Sequence, residues 1–244
     1  LQQYIHLVNN MKIKLILTIL LLLLISQFTH AQGLFSKNPI INLENFDQKR
    51  VHYGFYLGLN SLDFKFNYHD VSEDIKVKTS TGFNVGLIGN LRLNDYLDLR
   101  FEPGISFTQR TLVFPYIYDD FDKTREVKST YINLPILLKF SAKRTGNIRP
   151  YLIGGYSYAI NLSSNHKATD DNYNGKFRMQ RATGNLEGGL GIDIYFEYFK
   201  FSPSIRGVFG VENEILYDNN PYSPWTGNIS KMKTRGVFIN FAFH

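Results

Sequence analysis

Eight runs of this chain alternate apolar and polar side chains, and the links between them alternate in length. Together these regularities constrain the fold more than any other feature. In Leu97–Arg110, one parity holds Leu97, Leu99, Phe101, Pro103, Ile105 and Phe107. The other holds Asp98, Arg100, Glu102, Gly104, Ser106, Thr108 and Arg110. Successive side chains of a strand point to opposite faces, so this run is a strand with one greasy face and one ionic face. The same period predicts strands near 53–67, 81–93, 97–110, 130–142, 149–163, 184–197, 198–211 and 233–243. No segment carries a helical apolar stripe of useful length.

Asn94–Tyr96, Lys143–Ile148 and Glu197–Lys200 are short links, while 67–80, 111–129, 163–182 and 212–233 are long and polar. Long and short alternate through all seven connections. A meander explains this, because its odd connections lie at one end and its even ones at the other. The predicted fold is all-β, an eight-stranded antiparallel up-and-down transmembrane β-barrel with short periplasmic turns and long outer loops.

A soluble carrier of the same strand number would turn its apolar face inward, whereas a membrane barrel turns it to lipid. Runs long enough for the 9–11 or so tilted residues of a membrane strand favour the second. So does the charge balance of the polar faces. Arg92, Arg100, Arg110, Lys139, Lys200 and Arg206 stand against Asp98, Glu102, Glu187, Asp193 and Glu197. Near-balance suits a narrow lumen, where an unpaired charge costs several kcal/mol. We therefore expect an interior charge network of Arg92, Asp98, Arg100, Glu102, Lys139, Glu187, Asp193 and Arg206. Gly86, Gly104, Gly155, Gly189 and Gly191 would make room for it, plugging the lumen. Tyr53, Tyr96, Phe140, Tyr151, Tyr195 and Phe199, near the run ends, fit interfacial girdles.

The N-terminus bears on location. Met11, Lys12 and Lys14 precede an apolar run, Leu15–Ile25, and then Thr29 and Ala31 at the positions a signal peptidase reads. The run is too short for a spanning helix. The expected organisation is an upstream extension plus signal peptide (1–31), an extended periplasmic leader (32–52) and an outer membrane barrel domain (53–244). The chain has no Cys, so thiolate metal sites and Cys nucleophiles are excluded. Its net charge of +6 comes from scattered Lys and Arg, which argues against nucleic acid as a partner.

Catalysis has little support. A hydrolase needs a His beside a Ser and an acid. His52, His69, His166 and His244 fall in the leader, two loops and the terminus. Asp119–Asp122 and Asp170–Asp171 lack the spacing of a calcium loop. Gly188–Gly191 precedes no helix, as a phosphate loop would. No enzyme activity, cofactor or metal is expected. Trp225 and Tyr222, among prolines, could either order a loop or form an exposed aromatic tip.

The segments Tyr131–Phe140 (YINLPILLKF), Arg149–Ile160 (RPYLIGGYSYAI) and Gly188–Phe196 (GGLGIDIYF) resemble the outer-membrane β-barrel domain common in Bacteroidetes. Asn45–Phe66 is similar to the start of the PorT family. That resemblance implies a barrel associated with type IX protein secretion and gliding motility, and it brings no catalytic motif. The last strand resembles the signal read by the outer-membrane barrel-assembly machinery, at Gly236, Ile239, Phe241 and Phe243. The partners implied are outer membrane lipid, that machinery and other secretion-system proteins. A small outer membrane pore and a soluble periplasmic lipocalin-like carrier are the alternative readings.

Overall fold

The computed structural model describes residues 40–70, 74–168 and 176–244; the signal-peptide segment and the Asp170–Asp171 pair lie outside them. Contacts divide the chain between Asn42 and Leu43, and the barrel unit runs from Leu43 to His244. Its elements are β1 (Val51–Tyr68), β2 (Lys76–Thr79), β3 (Thr81–Arg92), β4 (Leu97–Phe101), β5 (Gly104–Val113), α1 (Asp120–Lys123), β6 (Thr124–Ser141), β7 (Ile148–Asn161), β8 (Ala182–Tyr195), β9 (Lys200–Gly210) and β10 (Ile229–Phe243). Every pairing is antiparallel, and β1 pairs with both β3 and β10, which closes the ring. β2 and β3 form one stave interrupted at Ser80, and β4 and β5 form another interrupted at Glu102–Pro103. The ten strands are therefore eight staves of an up-and-down barrel. Closure pairs every strand edge, as a hydrocarbon surround requires.

The break at Glu102–Pro103 has a simple cause. Pro103 has no N–H, and neither does Pro135 on the facing part of β6. Neighbouring groups compensate: Leu87 N–H donates to Pro103 O at 2.9 Å and Glu102 N–H to Pro135 O at 3.3 Å. The register runs on past the break, from Phe101↔Ile136 to Gly104↔Asn133.

Alternation decides the faces. Phe101 and Ile105 are 43% and 40% exposed, while Arg100 and Glu102, on either side of Phe101, are 2% and 4%. The same parity puts Ile136, Leu138 and Phe140 outside and Leu137 and Lys139 inside. The greasy face is the outer wall. Tyr53, Tyr96, Phe140 and Phe199 stand outside at the short-turn end. Tyr151 and Tyr195 do not join this girdle; both are buried in the lumen, because their parity places them inside.

Four stretches expected as loop are strand: 76–79, 111–113, 124–129 and 229–232. β1 and β6 reach 18 residues each, well beyond the 9–11 or so that span a membrane. The excess lies at the long-loop end, where the outward positions become charged (Asp63, Lys65, Glu126, Lys128, Arg235) and the inward ones apolar (Phe64, Leu112, Val127, Met232). The barrel wall thus continues past the membrane around a second kind of core. Among the described residues no helix is long and apolar enough to cross a membrane.

Candidate functional site in the barrel interior

The interior is layered. Nearest the short turns, Lys139 Nζ meets Asp193 Oδ2 at 2.6 Å, and Lys200 Nζ lies 3.9 Å from the same oxygen. Ser202 Oγ donates to Asp193 Oδ1 at 2.6 Å. Lys139 also stands 4.0 Å above the Tyr151 ring. One level up, Glu102 bridges two cations: Arg100 Nε at 2.5 Å and Arg206 Nη2 at 2.8 Å. Arg206 Nη1 reaches Glu187 Oε2 at 3.2 Å. Asn84 and Asn240 pack against this level, with the Asn240 amide oriented so that its oxygen accepts from Arg206. These six ionic groups (Arg100, Glu102, Lys139, Glu187, Asp193 and Arg206) are all buried. In a low-dielectric lumen each needs its partners.

Two other residues of the expected network lie elsewhere. Arg92 is at the rim of β3 and pairs with Asp95, at 2.7 Å, whose side chain is 84% exposed. The strand has already left the lumen there. Asp98 is half-buried at the start of β4 and has no ion pair among the described residues. Glu197 is exposed in the β8–β9 turn. Glycine makes room as expected, though for aromatic as well as ionic side chains. A Cβ on Gly189 would sit 2.7 Å from Arg206 Cγ, and one on Gly86 would sit 2.6 Å from the Tyr56 ring.

Above the ionic levels, Leu62, Tyr131, Ala159, Val208 and Phe238 form a thin apolar layer. A cavity of about 10 Å3 beside it is lined by Asn133, Thr183, Asn185 and Glu187 among others, room for about one water. Arg110 follows, fully buried, with Nη2 donating to Tyr131 Oη at 2.6 Å and its guanidinium 3.7 Å from the centre of the Phe64 ring.

Both ends are stoppered. At the short-turn end a 3-10 turn, Phe46–Gln48, folds against the barrel. Asp47 accepts from Tyr195 Oη at 2.7 Å and sits 3.5 Å from Arg149 Nη1. Phe46 stacks on His52 with centroids 4.6 Å apart. At the other end all four long connections contribute to one apolar cap: Ile75, Phe114, Phe177 with Met179, and Ile215 with Trp225. Phe64, Leu112, Val127, Ile229 and Met232 complete it from the strands. Trp225 is 2% exposed, its Nε1 donates to Asp122 O at 3.1 Å, and Arg125 lies 4.7 Å over its ring. Of the two readings of this segment, Trp225 orders the loop, while Tyr222 is 91% exposed. Arg178 ties the β7–β8 loop to the β9–β10 loop through Asp218, at 3.2 Å.

The latch and the cap were missed by sequence reasoning. Asp47 and Arg149 are far apart in sequence and share no pattern. The cap left a trace, since Leu112, Phe114, Ile117 and Val127 are unusual in loops meant to be solvated. Among the described residues no hydrolytic constellation forms around the histidines. His166 meets Ser164 Oγ at 2.9 Å, and no acid among the described residues hydrogen-bonds to it.

Within the assembly-signal segment, Ile239 and Phe241 face outward and Phe243 stacks on Phe55 with centroids 5.3 Å apart. Gly236 faces the lumen, where a Cβ would sit 2.5 Å from Leu62 Cδ2.

The family described as outer membrane protein beta-barrel domain matches residues 30–216. The chain belongs to this outer membrane β-barrel family. Membership and the closed antiparallel ring agree, and the protein is an outer membrane protein whose greasy wall faces lipid. No curated protein matches the chain. Solved structures that this family member is similar to include the outer membrane protein OprG from Pseudomonas aeruginosa, at 18% identity, TM-score 0.42, 79% of this chain and 93% of that one. Neisserial surface protein A is another, at 10% identity, TM-score 0.41, 80% and 98%. AlkL, solved in DMPC lipid bilayers, matches at 9% identity, TM-score 0.40, 85% and 93%.

Proposed function

We propose that this outer membrane barrel is a non-enzymatic assembly or accessory component of the envelope and not a conduit. The observation that carries the reading is the filled interior: ionic levels, an apolar cap and a leader latch occupy the axis in turn. A pore needs a continuous wet path, and a carrier needs an apolar pocket. Neither suits a lumen in which Glu102, Glu187 and Asp193 are ion-paired and Arg110 is held by Thr234, Ser129 and Tyr131. The export signal in 11–31 and the last-strand motif at Gly236, Ile239, Phe241 and Phe243 support delivery through the barrel-assembly machinery. The PorT-like segment Asn45–Phe66 supports a place in type IX secretion and gliding motility, with partners reached through the long loops or the leader.

Two experiments test this. In planar bilayers the purified barrel should stay at leak conductance, and discrete openings would refute the plugged reading. A deletion strain should lose type IX export and surface motility, and intact secretion would remove the secretion role while leaving the closed barrel standing.

A further inference from the structure

The long-loop end of the outer wall is electrostatically lopsided. On β10, β1 and β2 the outward positions beyond the apolar band hold Lys231, Lys233, Lys65, Lys76 and Lys78. None of the five has an ion-pair partner among the described residues. Lys65 stands directly across from Lys233 in the β1–β10 ladder, and like charges directly opposite in an antiparallel pair are destabilising. The acids on the outward strand positions are already engaged, Asp63 with Arg235 at 2.7 Å and Glu126 with Lys128 at 3.1 Å, which leaves, among the described residues, the exposed Asp70 and Asp74 of the β1–β2 connection against five lysines. At the upper ends of β7, β8 and β9 the outward residues are Tyr158, Leu162, Leu186, Phe209 and Val211, all exposed and uncharged, with Arg181 just before β8 the exposed cation there.

Height narrows the partner. Counting from the last outward apolar residues (Leu59, Val237, and Phe107 on the neighbouring stave), the cations sit at levels four to six residues further along. At about 3.4 Å per residue and a barrel tilt, that is roughly 10–16 Å above the hydrocarbon edge. The headgroup zone of an ordinary bilayer is only about 5–7 Å deep on each side. A phosphate directly above the acyl chains falls short of all five backbone positions. A sugar-phosphate headgroup spans the range. Below Lys128 the wall is notched: a concavity of about 360 Å3 has Phe83 and Phe107 among its lining and Gln109, Lys128 and Thr130 on its polar side. The two rings stack with centroids 4.6 Å apart. An apolar floor under a polar edge fits the junction between acyl chains and headgroup.

We propose that the lysine wall of β10, β1 and β2 binds the phosphate groups of an outer-leaflet glycolipid, with its acyl chains along Phe83 and Phe107. This rests on the reading that the long loops face outward. The headgroup phosphates screen the Lys65–Lys233 repulsion that the protein alone leaves uncompensated.

The test uses the mature chain folded in dodecylmaltoside micelles and titrated with fluorescent diphosphoryl lipid A. Dephosphorylated lipid A and soluble tripolyphosphate serve as competitors. Wild type should prefer the phosphorylated lipid over both. The triple variant Lys65→Gln, Lys78→Gln, Lys233→Gln should lose about tenfold or more in affinity, as expected for basic residues near an anionic surface. The Lys→Arg triple and Lys143→Gln, at the opposite end of the barrel, should bind as wild type. A retained heat-modifiable gel shift shows that the variants are folded. Unchanged binding by the Gln triple overturns the proposal. So does equal affinity without phosphate, or displacement by tripolyphosphate as readily as by lipid. Orientation is read separately. The chain has no Cys, so Lys65→Cys should be the only site that a membrane-impermeant maleimide labels on intact cells. Absence of label overturns the outward-loop reading and the outer-leaflet occupant with it. Label without lipid preference overturns the lipid site alone.

Discussion

Glu102 and Arg206 tie the ionic interior together: Glu102 serves Arg100 and Arg206 from one position, and Arg206 also reaches Glu187. Glu102 also sits beside Pro103. The register is unchanged across the break, so the parity that buries Arg100 also turns the Glu102 carboxylate into the lumen. Removing one partner of a buried pair strands the others without water, at a cost of about 3–5 kcal/mol. Glu102→Ala should therefore lower stability by that amount in urea unfolding followed by the heat-modifiable gel shift. Asp63→Ala breaks a pair of similar length on the outer wall, where the side chains are 54% and 29% exposed. It should cost about 0–1 kcal/mol. Comparable losses in the two variants would contradict the partition into dry interior and wet wall.

Among the elements, the long loops are not passive connectors. Each sends at least one apolar side chain into the cap, and the extended strands give that cap a collar. Trp225→Ala removes the largest side chain in it, and a Trp→Ala change in a core costs about 3–5 kcal/mol. The loss is local, so loop 114–123 should become sensitive to protease while the folded barrel keeps its gel shift. The cap also responds to pH. Glu214, in the β9–β10 loop, accepts from Thr234 N–H at 2.7 Å and Thr234 Oγ1 at 2.8 Å. Burial raises its carboxyl above the ordinary 4.5, against the pull of Arg110 and of the Thr234 bonds. Because the folded value exceeds the unfolded one, its contribution to stability is complete below about 4.5 and fades as pH rises through the folded value. The chain has one Trp, which is Trp225, so its fluorescence reports the cap directly. The cap's melting temperature should rise on acidification from neutral pH, and Glu214→Gln should flatten that dependence.

At the scale of the whole molecule the protein is inverted relative to a water-soluble domain, with charge in the middle and grease on the rim. Lipid is the solvent that makes this arrangement stable, since outward Leu, Ile and Phe cost nothing there and the closed ring leaves no free strand edge. A charge on that rim tests the environment. Ile136, 58% exposed near the middle of β6, replaced by Arg should cost about 2–4 kcal/mol when the barrel is folded in bilayers. In a water-soluble carrier the same exposed position would tolerate Arg, so an unaffected variant would remove the lipid assignment.

The strand count, the meander and the direction of each face were legible in the sequence because they are local or periodic. Parity along 97–110 is enough to separate Phe101 from Glu102 once the surrounding solvent is known. Burial of charge was legible for six of the eight residues expected in the network, while Arg92 and Asp98 lie at the rim. Their pairing was not. Arg206 joins Glu102 and Glu187 across the lumen, Arg92 turns away to Asp95, and nothing in sequence spacing distinguishes those outcomes. The cap and the latch were equally hidden, because they bring Trp225 to Asp122 and Asp47 to Tyr195 from distant parts of the chain. Alternation is a property of consecutive residues, which sequence alone determines. Which inward group meets which depends on the stagger and closure of the ring, and only the tertiary structure decides that.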